Sequence, residues 1–220
     1  MRNTVTFIVV GALIGACASG PPVPDWESNA KTAMDHAVAA YLTGDTRLAA
    51  SDFERARSEI ARTGRIDLLG RAELVRCAAR VASLVFEPCE GFEKLRADSA
   101  APERAYADYL AARVQPQDIA HLPEQHRAIA SASISADSAV AAVRAMEDPL
   151  SRLVAIGVLF QAGRANPAAI ALAADTASAQ GWRRPLLAWL NVQLALAEKA
   201  GETGDAAQLR RRIAVVQGER

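Results

Sequence analysis

Apolar and polar positions alternate along most of this chain at steps of three and four residues. Ala37 and Tyr41 stand four apart, and Ala49, Phe53 and Ala56 follow at steps of four and three. A looser echo runs through Ile156, Leu159, Phe160, Gly163, Ala168 and Leu172, and a third lies within 186–216. Such spacing places apolar side chains on one face of a helix. Cap residues and breakers set the boundaries. Asp25 is positioned to cap a helix through Leu42, and Gly44 breaks it. Asp45 caps a second over about 46–62, stopped at Gly64, and Asp67 opens a third through about Val85. Asp148-Pro149 and Asn166-Pro167 each pair a cap with a proline in the first turn, where its missing N–H costs little. Asp205 and Gln208 have the spacing of a capping box. Gln115 to Pro123 is the least regular segment. Helices of about 12–18 residues joined by loops of about 2–5 predict antiparallel helical hairpins.

Composition strengthens the helical reading. Hydrophobic residues make up 51% of the chain and aromatics only 5%, with alanine the recurrent small residue. Alanine has the best helix propensity, and its size lets helices approach closely. The fold class is all-α: hairpins stacked in an array, or an irregular bundle. Residues 26–220 form its single domain. Lys plus Arg number 25, and so do Asp plus Glu, so no basic excess points to nucleic acid.

Residues 33–56, with Ala37, Tyr41, the Gly44 turn, Ala49, Phe53 and Ala56, resemble a tetratricopeptide repeat. In that family small residues sit at helix crossings and aromatics fill the gaps. The resemblance implies a right-handed stack with a concave surface that binds other proteins. It covers one unit well, and residues 67–147 do not match in register.

The N-terminus carries a different signal. Arg2 is followed by an apolar stretch from Val5 to Ile14. That is too short for a bilayer span of about 20 residues and has the form of a secretory signal peptide. Ile14-Gly15-Ala16-Cys17 resembles the lipobox of bacterial lipoproteins. The family implies a diacylglycerol on the Cys17 thiol, cleavage after residue 16 and acylation of the new amino group. A cysteine suits this chemistry because its thiolate is the nucleophile. Two or more acyl chains hold a protein stably in a membrane, where one does not. Ala18 stands where the family commonly places Asp for inner-membrane retention, which implies the outer membrane, facing the periplasm. Residues 17–25 then serve as lipidated cysteine and tether. Ala18 to Pro24 is proline-rich and reaches roughly 20 Å when extended.

With Cys17 assigned to lipid, Cys77 and Cys89 remain, an even pair in an oxidising compartment. Eight helical residues after Cys77 climb about 12 Å. Pro88 prevents a continuing helix, and four extended residues return about 13 Å, so Cys89 can lie beside Cys77. A disulfide is expected; the alternative is two separate buried thiols.

Groups with chemistry are few. His36, His121 and His126 read as surface or loop residues, and the last two are five apart, unlike a helical metal pair. No metal or cofactor is expected. Ser131 to Ser138 reads as exposed helix and junction, and Glu90, Glu93, Asp98 and Glu103 as solvated carboxylates. Trp182 and Trp189 with Arg183-Arg184 could line a surface, or be packed tryptophans under arginine stems. Arg210 to Arg212 suits the dipole near the end of the last helix. The expected function is a lipid-anchored, non-catalytic helical scaffold that binds an envelope protein. The alternative is a periplasmic envelope enzyme using a carboxylate.

Overall fold

A computed structural model describes residues 23–218. Eleven α-helices occur among the described residues, with no strand. The first hairpin is α1 (Asp25–Thr43) and α2 (Thr46–Ala61), followed by α3 (Ile66–Ala82). An irregular middle holds α4 (Glu90–Glu93), α5 (Ala101–Leu110), α6 (Glu124–Ala130) and α7 (Ala136–Ala145), with 3-10 turns at Arg96–Asp98 and Pro116–His121. Four longer helices close the chain: α8 (Pro149–Gln161), α9 (Pro167–Ala179), α10 (Arg183–Ala200) and α11 (Thr203–Gln217). Cys17, the lipobox and most of the tether lie outside the described residues.

Several boundaries follow local chemistry as expected. The Asp45, Asp148 and Asn166 side chains accept from the backbone N–H groups of Leu48, Ser151 and Ala169. Ser135, within the serine-rich stretch, does the same for Ser138 and starts α7. Other boundaries differ. Asp25 and Asp67 lie inside the first turns of α1 and α3, where an acid suits the positive end of the helix. Asp67 instead binds Arg65, which holds its carboxyl down at about pKa 2. Helix α11 starts at Thr203, so Asp205 is already helical and forms no capping box. The run Arg210 to Arg212 lies mid-helix, not in the last turn, and Arg210 pairs with Glu198.

The predicted third helix ends three residues early, at Ala82 rather than Val85. Leu84 takes a left-handed conformation, φ 60°, and the Val85 N–H turns back to the Arg80 carbonyl at 2.9 Å. The reversal carries residues 85–89 back along α3. Cys77 and Cys89 come to disulfide distance, with Cα atoms 5.9 Å apart. A bridge there closes a loop of about 13 residues, which chain entropy values near 3 kcal/mol.

The order in space departs from a simple linear stack. Helix α8 packs on α3, α9 on α8 and α10, and α11 on α10, while α10 also touches α1. The two ends of the chain therefore meet across the irregular middle. Most buried side chains form one core, from Leu74 on α3 to Ile213 on α11. A smaller cluster, Ala30, Ala37, Phe53, Ile60 and Ala72, belongs to the first hairpin and α3.

Helices α3 and α8 cross at close range. A Cβ placed on Gly157 would stand 2.5 Å from the Val81 carbonyl oxygen and 3.0 Å from its Cγ1. One residue further on, the fully buried Trp189 donates its indole N–H to the Ala82 carbonyl at 3.1 Å. That carbonyl is one of the four a helix end leaves without an internal partner. Trp189 is thus a core residue rather than part of a surface, and Phe160 packs edge-on against it.

Gly157→Ala should therefore destabilise the protein. Alanine gains about 0.5–1 kcal/mol in helix propensity, but the overpacked crossing costs about 1–3 kcal/mol. Urea denaturation should show a lower midpoint for the variant with the slope unchanged.

Candidate functional site

An apolar recess lies where the first hairpin meets the body, with a volume of about 380 Å³. Ala37 and Phe53 of the smaller cluster form part of its lining. Helix α1 contributes Ala37, Val38 and Tyr41, and α2 contributes Ala49, Ala50 and Phe53. These follow the helical spacing seen in the sequence, so the apolar faces of the hairpin become walls. Ala79 of α3 and Val85 of the return segment close the far side. Small residues at 37, 49, 50 and 79 leave the space open.

Three guanidinium groups border this apolar floor. Arg184, at the start of α10, reaches back to the α1–α2 turn. Its Nε donates to the Tyr41 carbonyl at 2.7 Å, and its Nη2 to Thr46 Oγ1 at 2.7 Å and the Gly44 carbonyl at 3.4 Å. Its Cζ lies 4.3 Å above the Tyr41 ring. These carbonyls belong to the C-terminal end of α1, where a cation is favoured. Arg76 lies 4.5 Å above the Phe53 ring, and its nearest carboxylate, Glu73, stands 3.9 Å away. Arg80 pairs with the exposed Glu87. Burial raises the Tyr41 hydroxyl pKa, opposed by the positive charges of Arg184 and Arg80, so Tyr41 is a neutral donor in this recess at pH 7.

Chemical groups expected elsewhere are distributed as follows. His36 and His121 are exposed, as the sequence predicts. His126 is not: it is 1% exposed, and its Nδ1 meets the Tyr109 hydroxyl at 3.1 Å. Glu90, Glu93 and Asp98 are exposed, but Glu103 is buried and holds Arg71 at 2.7 Å. Glu93 binds Arg96, which lowers its pKa. Trp182 is half-buried, apart from the Arg184 guanidinium that turns toward α1. No group of His, Cys, Asp and Glu that could hold a metal ion is found among the described residues.

Sequence reasoning missed Glu73. It is 3% exposed, its Oε1 faces Arg57 Nε at 3.3 Å, and its Oε2 has no hydrogen-bond partner. The signal was present: Glu73 precedes Cys77 by four residues and so shares its helical face. Gly91 faces it, where any side chain would run into the carboxylate. His126 had a similar signal, set four residues after Leu122 and three before Ile129, both buried.

No family model matches this chain, and no curated protein or solved structure matches it either.

Burial of His126 lowers its pKa from 6.5 to about 4, with Asp148 opposing weakly. The unfolded chain takes up this proton below about pH 6.5, and the folded chain only near pH 4. The buried neutral ring therefore contributes stability above pH 6.5, which is lost as the pH falls toward 4, up to about 3 kcal/mol. Denaturation at steps between pH 7 and 4 should show this slope in the wild type and a shallower one in His126→Gln.

Proposed function

We propose that this chain is a lipid-anchored, non-catalytic binding scaffold of the bacterial cell envelope. Acylation at Cys17 anchors it in the outer membrane, facing the periplasm, and the helical array engages an envelope protein. The lipobox-like Ile14-Gly15-Ala16-Cys17 supports the anchor. The recess between α1, α2 and α3 is the observation that carries the binding role. Its walls are apolar, and its bordering charges are fixed by contacts within the protein, so it is formed before any partner arrives. Recesses of about 300–1,000 Å³ with apolar walls and a few placed polar groups are the usual form of small-molecule sites. Preformed geometry lowers the entropy cost of association.

Two measurements test this reading. Cys17→Ser should abolish incorporation of labelled palmitate and leave uncleaved precursor; persistent labelling of that variant defeats the anchor. A photocrosslinking amino acid at Ala50, on the exposed edge of the recess, should trap a defined envelope protein in living cells. The same residue at Val215, exposed on α11, serves as the comparison. Equal capture of unrelated proteins at both positions would remove the scaffold role.

A further inference from the structure

The recess differs from a general protein-docking groove in what it lacks. Its apolar length runs past Met34, Val38, Phe53 and Val85, with no asparagine, glutamine or serine among the lining residues. Thr46 is already engaged by Arg184, and Glu54 lies 3.5 Å from Arg57. An extended peptide laid here would bury backbone N–H and C=O groups without partners, at about 1–3 kcal/mol for each unsatisfied group. An aliphatic chain makes no such demand.

Charge is the second observation. Arg76 and Arg184 each place Cζ over an aromatic ring, at 4.5 and 4.3 Å from the centroid. Among the described residues, the acceptors of Arg184 are two carbonyls and a hydroxyl, all neutral, and Arg76 has only Glu73 at 3.9 Å. Arg80, also on the recess wall, shares its charge with an exposed glutamate. The border is therefore cationic and the floor apolar. A planar carboxylate matches a guanidinium with two parallel hydrogen bonds, and such charge-assisted bonds are the strong ones.

We infer that the α1–α2–α3 recess binds a single-chain fatty acid, with its alkyl chain along the Ala- and Phe53-lined floor and its carboxylate on the bordering arginines. This rests on the reading of the recess as a binding site and names its ligand. The protein partner of the scaffold then meets the exposed rim of the recess at Ala50 rather than its apolar floor. No bond is made or broken; the ligand is held by apolar burial and charge.

The test uses the full chain in lipid nanodiscs and a palmitate carrying a diazirine in its alkyl chain. After illumination, the label should map to peptides of α1, α2 and α3 within the recess. Unlabelled palmitate should compete. Hexadecanol, with the same chain and a neutral head, should compete about tenfold less well, the loss of one charge-assisted bond. Arg76→Gln should weaken labelling to a similar degree. Ala50→Phe, which fills the exposed edge of the recess, should remove labelling while far-UV circular dichroism stays unchanged. Should the fill disturb the fold, competition on the unaltered chain still decides. Hexadecanol competing as well as palmitate would overturn the inference, as would label confined to residues outside the recess. Hexadecyl phosphate competing better than palmitate would overturn the choice of a carboxylate head. If no label enters the recess while crosslinking at Ala50 still captures its protein, the scaffold reading stands and the fatty-acid inference falls.

Discussion

The rest of the structure depends on the close approach of α3 and α8 at Val81 and Gly157. Glycine is required because the α3 backbone, not a movable side chain, occupies the space a Cβ would take. The crossing joins helices almost eighty residues apart in sequence, so it brings the first hairpin and the last four helices into one structure. Trp189 then secures the end of α3 by donating to the Ala82 carbonyl. With α3 stopped there, Leu84 reverses the chain and Cys89 returns to Cys77.

The recess is a consequence of that arrangement. The first hairpin keeps a small core of its own and meets the body through α3 and the turn clamped by Arg184. Beside that small core, alanines at 37, 49, 50 and 79 leave a space that bulkier side chains would fill. Arginines at helix ends are a repeated device. Arg164 binds the carbonyls of Ile129 and Ser131 at the end of α6, and Arg152 those of Val143 and Met146 at the end of α7. Each guanidinium satisfies carbonyls that a short helix cannot bond internally. Balanced net charge thus hides a division of labour: many arginines serve the backbone rather than carboxylates.

Much of the fold was legible because its signals are local. Asp45, Asp148 and Asn166 cap the N–H three residues ahead, whatever the rest of the chain does. Asp25, Asp67 and Asp205 have the same chemistry, yet each sits within the first turn of its helix rather than before it. For the candidate site, Ala37, Tyr41, Ala49 and Phe53 were visible as a helical face, but nothing local says that Arg184, more than 140 residues after Tyr41, would clamp it.

The sequence by itself determined the all-α class, the hairpin punctuation and the capacity of Cys89 to fold back to Cys77. These follow from propensity, capping and chain reach, which act within a few residues. Only the tertiary structure decided that His126, Glu73 and Glu103 are buried, that Trp189 ends α3, and that three arginines border one apolar recess. Burial and charge partnership depend on which distant surfaces meet, and here the α3–α8 crossing at Gly157 brings two such surfaces together.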